Sequence, residues 1–153
     1  MGLSLEFYAG DIDKMVAAVQ KCDFALLENP DIASANADLS LHIEPADLNL
    51  LSREIGIATE QEPLDLRPYL SVLVDEDGYG ALKVSAEWVK YASFVRPDAT
   101  DHIAHRWADA MATCYPDEPI VHDIAMSRAV SDLVSLCQLA ASKGKSVIHV
   151  WYQ

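Results

Sequence analysis

Basic residues are scarce in this chain. There are 11 Lys and Arg against 24 Asp and Glu, a formal net charge of −13. Such a surface repels polyanions, so neither nucleic acid nor an anionic membrane is an expected partner. No basic patch interleaved with aromatics offsets this. Cysteine is scarce too. Cys22, Cys114 and Cys137 are odd in number, widely spaced and form no C-x-x-C pair. That argues against a disulfide framework or a zinc ribbon. Cys114 and Cys137 fall on apolar helical stripes, so buried free thiols in a reducing cytoplasm are expected. Long apolar runs are missing, for none approaches the roughly 18 residues of a membrane helix. The start, MGLSLEFYAGDIDKM, has no basic opening and meets Asp11 and Asp13 early, unlike a secretory signal. Glu6 stands where a myristoylation motif on Gly2 needs Ser or Thr. A cytoplasmic location is expected.

Phosphate-binding and nucleophile motifs are also absent. DGYG (Asp77–Gly80) lacks the spacing and the Lys-Ser/Thr of a phosphate loop. No G-x-S-x-G elbow exists. A thiol–imidazole pair of Cys22 with His42 has nothing in the sequence to join it. No cofactor is expected.

What is present is a patterned chain of 153 residues, 51% hydrophobic, which suits one domain over residues 1–153. Leu3, Leu5 and Phe7 alternate with Ser4, Glu6 and Tyr8, which predicts a half-buried strand ended by Gly10. Ile12, Met15, Val16 and Val19 have helical spacing. DFALLENP predicts a short helix and DIASANAD a loop. DLSLHIEP alternates again as a strand, with Leu39, Leu41 and Ile43 on one face. Pro45 starts a helix that Gly56 stops. Tyr69–Val74 and Ala81–Val84 form a hairpin around DEDGYG, where Gly78 and Gly80 can take positive φ. Ser85 caps a helix closed by Pro97, and Asp98 or Thr100 opens the next. A long helix from HDIAMS ends at Gly144, and SVIHVWY predicts a strand buried on both faces. The order predicts α+β: one sheet of about five mostly antiparallel strands with helices packed on it.

The most chemical-looking stretch is TDHIAHRWADAM (Thr100–Met111). On a helix, Ile103, Trp107, Met111 and Cys114 fall within about 80° as a core stripe, and His102, His105, Asp109 and Thr113 cluster opposite. Two imidazoles one turn apart with a carboxylate can hold a transition metal. His102, His105 and Asp109 are therefore metal candidates, with His122 and Asp123 as further ligands of a metal-dependent hydrolase. HIAHRWADAMA followed by IVHDIAMS superficially resembles the HD phosphohydrolase pattern. Only 17 positions separate His105 from His122, which leaves no room for an intervening helix, and the chain ends in a strand.

The charge is uneven. Residues 1–80 hold 16 acidic and 4 basic residues, whereas residues 81–153 hold 8 and 7. An acidic field of this kind steers basic partners and also confers solubility. Glu60, Glu62 and Asp65, with Asp75, Glu76 and Asp77, lie in expected loops and are the expected contacts of a basic protein.

Three segments together resemble the YfbM-like family of small bacterial proteins of unknown function. They are MGLSLEFYAGDIDKM, DGYGALKVSAEWV and LAASKGKSVIHVWYQ. The resemblance implies an α+β bacterial cytoplasmic protein and offers no catalytic residues. The leading expectation is a non-enzymatic acidic module that binds a basic protein in a toxin-neutralising or regulatory role. The alternatives are the metal-dependent hydrolase and an oligomeric protein with VIHVWYQ at an interface, so the oligomeric state stays open.

Overall fold

The last strand of the chain is the middle of the sheet. In the computed structural model, which describes residues 3–41 and 43–153, β5 (Ser146–Tyr152) pairs with β1 (Ser4–Gly10) on one side and β4 (Tyr79–Val84) on the other. β2 (Ala33–Asp38) and β3 (Leu70–Glu76) are the edges, giving the order β2-β1-β5-β4-β3, antiparallel throughout. The fold is α+β, as the pattern of elements predicts. Val147, Ile148, His149 and Val150 are all buried, which explains why this segment reads as an unbroken apolar run.

Five helices cover the sheet. α1 (Ile12–Gln20) and a 3-10 turn at Phe24–Glu28 lie on one face, where Met15, Ala18, Val19 and Leu27 pack on Tyr8, Ile148 and Val150. The other face carries α2 (Asp47–Ala58), α3 (Ala86–Ser93), α4 (Thr100–Cys114) and α5 (Ile124–Lys143) over a larger core. Trp88 and Trp107 are its largest buried side chains. Each indole is also tethered: Trp88 Nε1 donates to Ser52 Oγ at 2.9 Å and Trp107 Nε1 to the Asp47 carbonyl at 2.9 Å. A buried N–H left unpaired would cost about 1–3 kcal/mol, so these bonds set where α3 and α4 dock on α2.

Several local expectations shift. DIASANAD is no loop: Ala33–Asp38 forms edge strand β2, and Leu39, Ser40, Leu41 and Ile43 beyond it are irregular. The alanines Ala35 and Ala37 face the large core, and such small side chains let α5 approach the strand closely. Gly10 ends β1 where β2 crosses closest, since a Cβ there would lie 2.1 Å from the Ile32 carbonyl oxygen. Gly56 does not stop α2. It is buried inside the helix, where a Cβ would lie 2.5 Å from the Tyr91 hydroxyl. Gly78 takes φ +87° in the hairpin turn, whereas Gly80 sits within β4 under Trp151. Cys137 is buried, but Cys22 and Cys114 are exposed; Cys114 is the last residue of α4, beyond the core stripe that ends at Met111. By length and composition α5 could cross a membrane, yet its stripe from Met126 to Ala140 is buried against the sheet, α3 and α4. Met1, Gly2 and His42, and with them the Cys22–His42 pair, lie outside the described residues.

Candidate metal centre and acidic face

α4 presents its two sides as the wheel predicts. Ile103, Trp107 and Met111 are buried, and His102, His105 and Asp109 are exposed. The connection after α4 then runs back along the helix and brings His122 over His105. The imidazoles stack with centroids 3.5 Å apart and 21° between planes. Asp101, one turn before His105, completes the group, and one ligand atom from each of Asp101, His105 and His122 lies within 4.8 Å of the others. The side chains brought together are thus Asp101, His105 and His122. His102 points into a separate shallow cleft with Arg96 and Arg106, and Asp109 stands a turn beyond His105. Asp101 was visible in the sequence as a second carboxylate spaced four from His105. Only the return of the connection decides that the N-terminal carboxylate is the one beside His122.

Ser127, in the first turns of α5, closes the cluster. Its hydroxyl donates to Asp101 Oδ1 at 2.5 Å, because a carboxylate can only accept. A hydroxyl has one proton, so at 2.6 Å His122 Nε2 is the donor to Ser127 Oγ. The result is a relay from His122 through Ser127 to Asp101. It is not a nucleophile arrangement, which would need the serine to donate to the imidazole. The Ser127 hydrogen bond is the main cause holding the Asp101 carboxyl below the usual carboxylate range, with His105, His122 and His102 adding to it. Asp123 caps α5 by accepting from Met126 N at 2.9 Å, so it is committed to the helix start. A metal at Asp101, His105 and His122 would displace the Ser127 bridge and the Nε2 proton of His122. None of the five main clefts is lined by those three residues.

The expected partner contacts divide between two regions. Glu60, Glu62 and Asp65 follow α2 on the layer of four helices, and Arg53 holds Asp65 through two bonds of 2.7 and 3.2 Å. Asp75, Glu76 and Asp77 are at the other end of β3, about 20 Å away along a seven-residue strand. There the hairpin meets the α1 side: Phe24 packs edge-on against Tyr79 at 5.9 Å and stacks on Tyr152 at 4.6 Å. Tyr152 OH donates to Glu6 Oε1 at 2.8 Å, and Tyr8 OH donates to the other oxygen. Burial first, then the Glu6 carboxylate, pushes the Tyr8 phenol far up. Residues 4–38, which build this side and edge strand β2, contain seven acidic and two basic residues. Asp11, Asp13, Asp23, Glu28, Asp31 and Asp38 are all exposed.

No protein-family model matches the chain, and no curated protein or solved structure is significantly similar to it.

Proposed function

We propose that this protein is a non-enzymatic binding module whose α1 side engages a basic protein, in a toxin-neutralising or regulatory role. One observation carries this: the acid-rich segment 4–38 meets the acidic end of the hairpin, where Asp75 and Glu76 close strand β3 instead of lying in a loop and only Asp77 is in the turn, around Tyr8, Tyr79 and Tyr152. Carboxylates beside the half-buried rings of Tyr79 and Tyr152 suit Lys and Arg, which pair with the acid and pack on the ring. Association would be fast and would weaken with salt, because the Debye length falls below about 10 Å above 0.1 M. The YfbM-like resemblance and a cytoplasmic setting belong to the same proposal. The test is recovery of a basic partner from host extract at low salt, followed by two charge reversals. Asp75→Lys/Glu76→Lys/Asp77→Lys should weaken the complex by tenfold or more, while Glu60→Lys/Glu62→Lys leaves it nearly intact. No basic partner at low salt, or equal loss in both variants, sinks the proposal.

A second function is favoured by the convergence of Asp101, His105 and His122, which can supply two nitrogens and an oxygen to a transition metal. Protein purified without a histidine tag would bind one zinc or nickel per chain, and His105→Ala would abolish it. Because none of the five main clefts is lined by the cluster, that metal would tie the connection to α4 more readily than it would catalyse hydrolysis.

A further inference from the structure

His149 is a buried polar group whose hydrogen bonding is incomplete among the described residues. It lies in the central strand, 2% exposed, stacked on Phe7 at 4.5 Å. Its Nδ1 meets the Glu6 carbonyl at 3.2 Å. A carbonyl only accepts, so Nδ1 carries the proton and Nε2 of the neutral ring is an acceptor. Burial depresses the imidazole to about 4, so the ring stays neutral near pH 7. Nε2 has no partner among the described residues. Their side chains contain no sealed polar atom without one. Nε2 therefore opens onto the cavity that His149 lines.

That cavity, about 460 Å³, lies between β3, β4 and β5 and the first turn of α2. Leu48, Leu66, Leu70 and Leu82 form its apolar walls, and Trp151 closes one side. The indole can lie there because its partner across the strands is Gly80, where a Cβ would be 2.6 Å from Trp151 Nε1. Asn49 Oδ1 accepts from both Leu66 N at 2.9 Å and Arg67 N at 3.0 Å, which fixes the segment at the mouth. Arg67 is the only fully charged side chain lining the cavity and has no side-chain carboxylate partner among the described residues. In a chain of net charge −13, a cavity whose one fully charged side chain is an arginine favours an anion beside it.

We propose that this cavity binds a small aromatic carboxylate bearing a hydroxyl or N–H donor. The ring packs on Trp151 and the leucines, the donor meets His149 Nε2, and the carboxylate pairs with Arg67 at the mouth. A mostly apolar pocket with a few convergent polar groups is the usual form of a small-molecule site. The site is independent of the acidic α1 side and of the histidine cluster.

The probe is 4-hydroxyphenylacetate, followed by NMR on the three indole N–H signals. Trp88 and Trp107 serve as internal controls, because their N–H groups bond elsewhere in the core. A saturable shift confined to Trp151 and the His149 imidazole is expected. Phenylacetate, which lacks the donor, should bind about tenfold more weakly. 2-(4-Hydroxyphenyl)ethanol, which lacks the carboxylate, should also bind about tenfold more weakly, and Arg67→Gln should reduce the acid to the alcohol's affinity. His149→Leu should bind the two acids equally. Should that variant fail to fold, the ligand pair on the unaltered protein and the exposed Arg67→Gln still decide. Equal affinity for the two acids on the unaltered protein, shifts away from Trp151, or no shift at about 10 mM of any probe would each overturn the proposal.

Discussion

His105 and His149 are the same residue in opposite circumstances. The His105 side chain is 53% exposed and leans on His122 and Asp101 at the surface. His149 is buried at the centre of the sheet. The exposed cluster looks more chemical, yet the Ser127 relay already occupies His122 Nε2 and Asp101 Oδ1. The buried ring looks like core, yet one of its nitrogens is left without a partner among the described residues. Capacity for a ligand therefore follows from unmet hydrogen bonds in an enclosed space, more than from how many ligating residues gather on a surface.

That comparison can be broken most forcefully beneath His149. Phe7→Ala should destabilise the protein by about 3–5 kcal/mol, measured by urea unfolding, because a fully buried ring is lost and its space is not refilled. A loss below 1 kcal/mol would mean the floor under His149 is loose, on the order of a surface site. Next in size is the pH dependence. The folded-state value of His149, about 4, lies below its ordinary 6.5, so the unfolded chain binds the extra proton first. This stabilisation is fully present above pH 6.5 and is lost as pH falls toward 4. The change is about 3 kcal/mol in all. His149→Gln should flatten the difference in stability between pH 7 and pH 4.5 relative to the parent protein. An unchanged slope would place the titrating imidazole elsewhere.

The surface cluster should respond more weakly. Ser127→Ala should let the Asp101 carboxyl rise toward its ordinary range, since the lost hydroxyl is the main cause of its depression. Carboxyl-detected NMR titration reads this directly, and no rise would mean the relay does not form. His105→Ala should change stability by no more than about 0.5 kcal/mol, as exposed substitutions do. A larger loss would show that the stacked pair braces the connection between α4 and α5.

Much of the fold could be read along the chain because it is periodic. The alternation of β1, the unbroken apolar run of β5, the cap at Ser85 and the helix stop at Gly144 are local signals, and the structure has each of them. The failures are also physical. β2 is a run of alanines and small polar residues with no apolar alternation to mark it. Its strand conformation comes from pairing with β1 and from the close approach of α5. Gly56 and Gly80 looked like punctuation, but Tyr91 and Trp151 occupy the space that their missing side chains leave.

The sequence by itself determined the fold class, the acidic bias of the first half and the division of α4 into a core side and a wet side. These depend on residue type and on spacings of two or about four, which survive in one dimension. Tertiary structure alone decided which groups meet. It brought His122 back onto His105 and Asp101, moved Asp75–Asp77 to the α1 side and away from Glu60 and Glu62, and set His149 facing a cavity beside Arg67. Those contacts join residues tens of positions apart, and only packing of the helices on the sheet chooses among the many pairings that spacing permits.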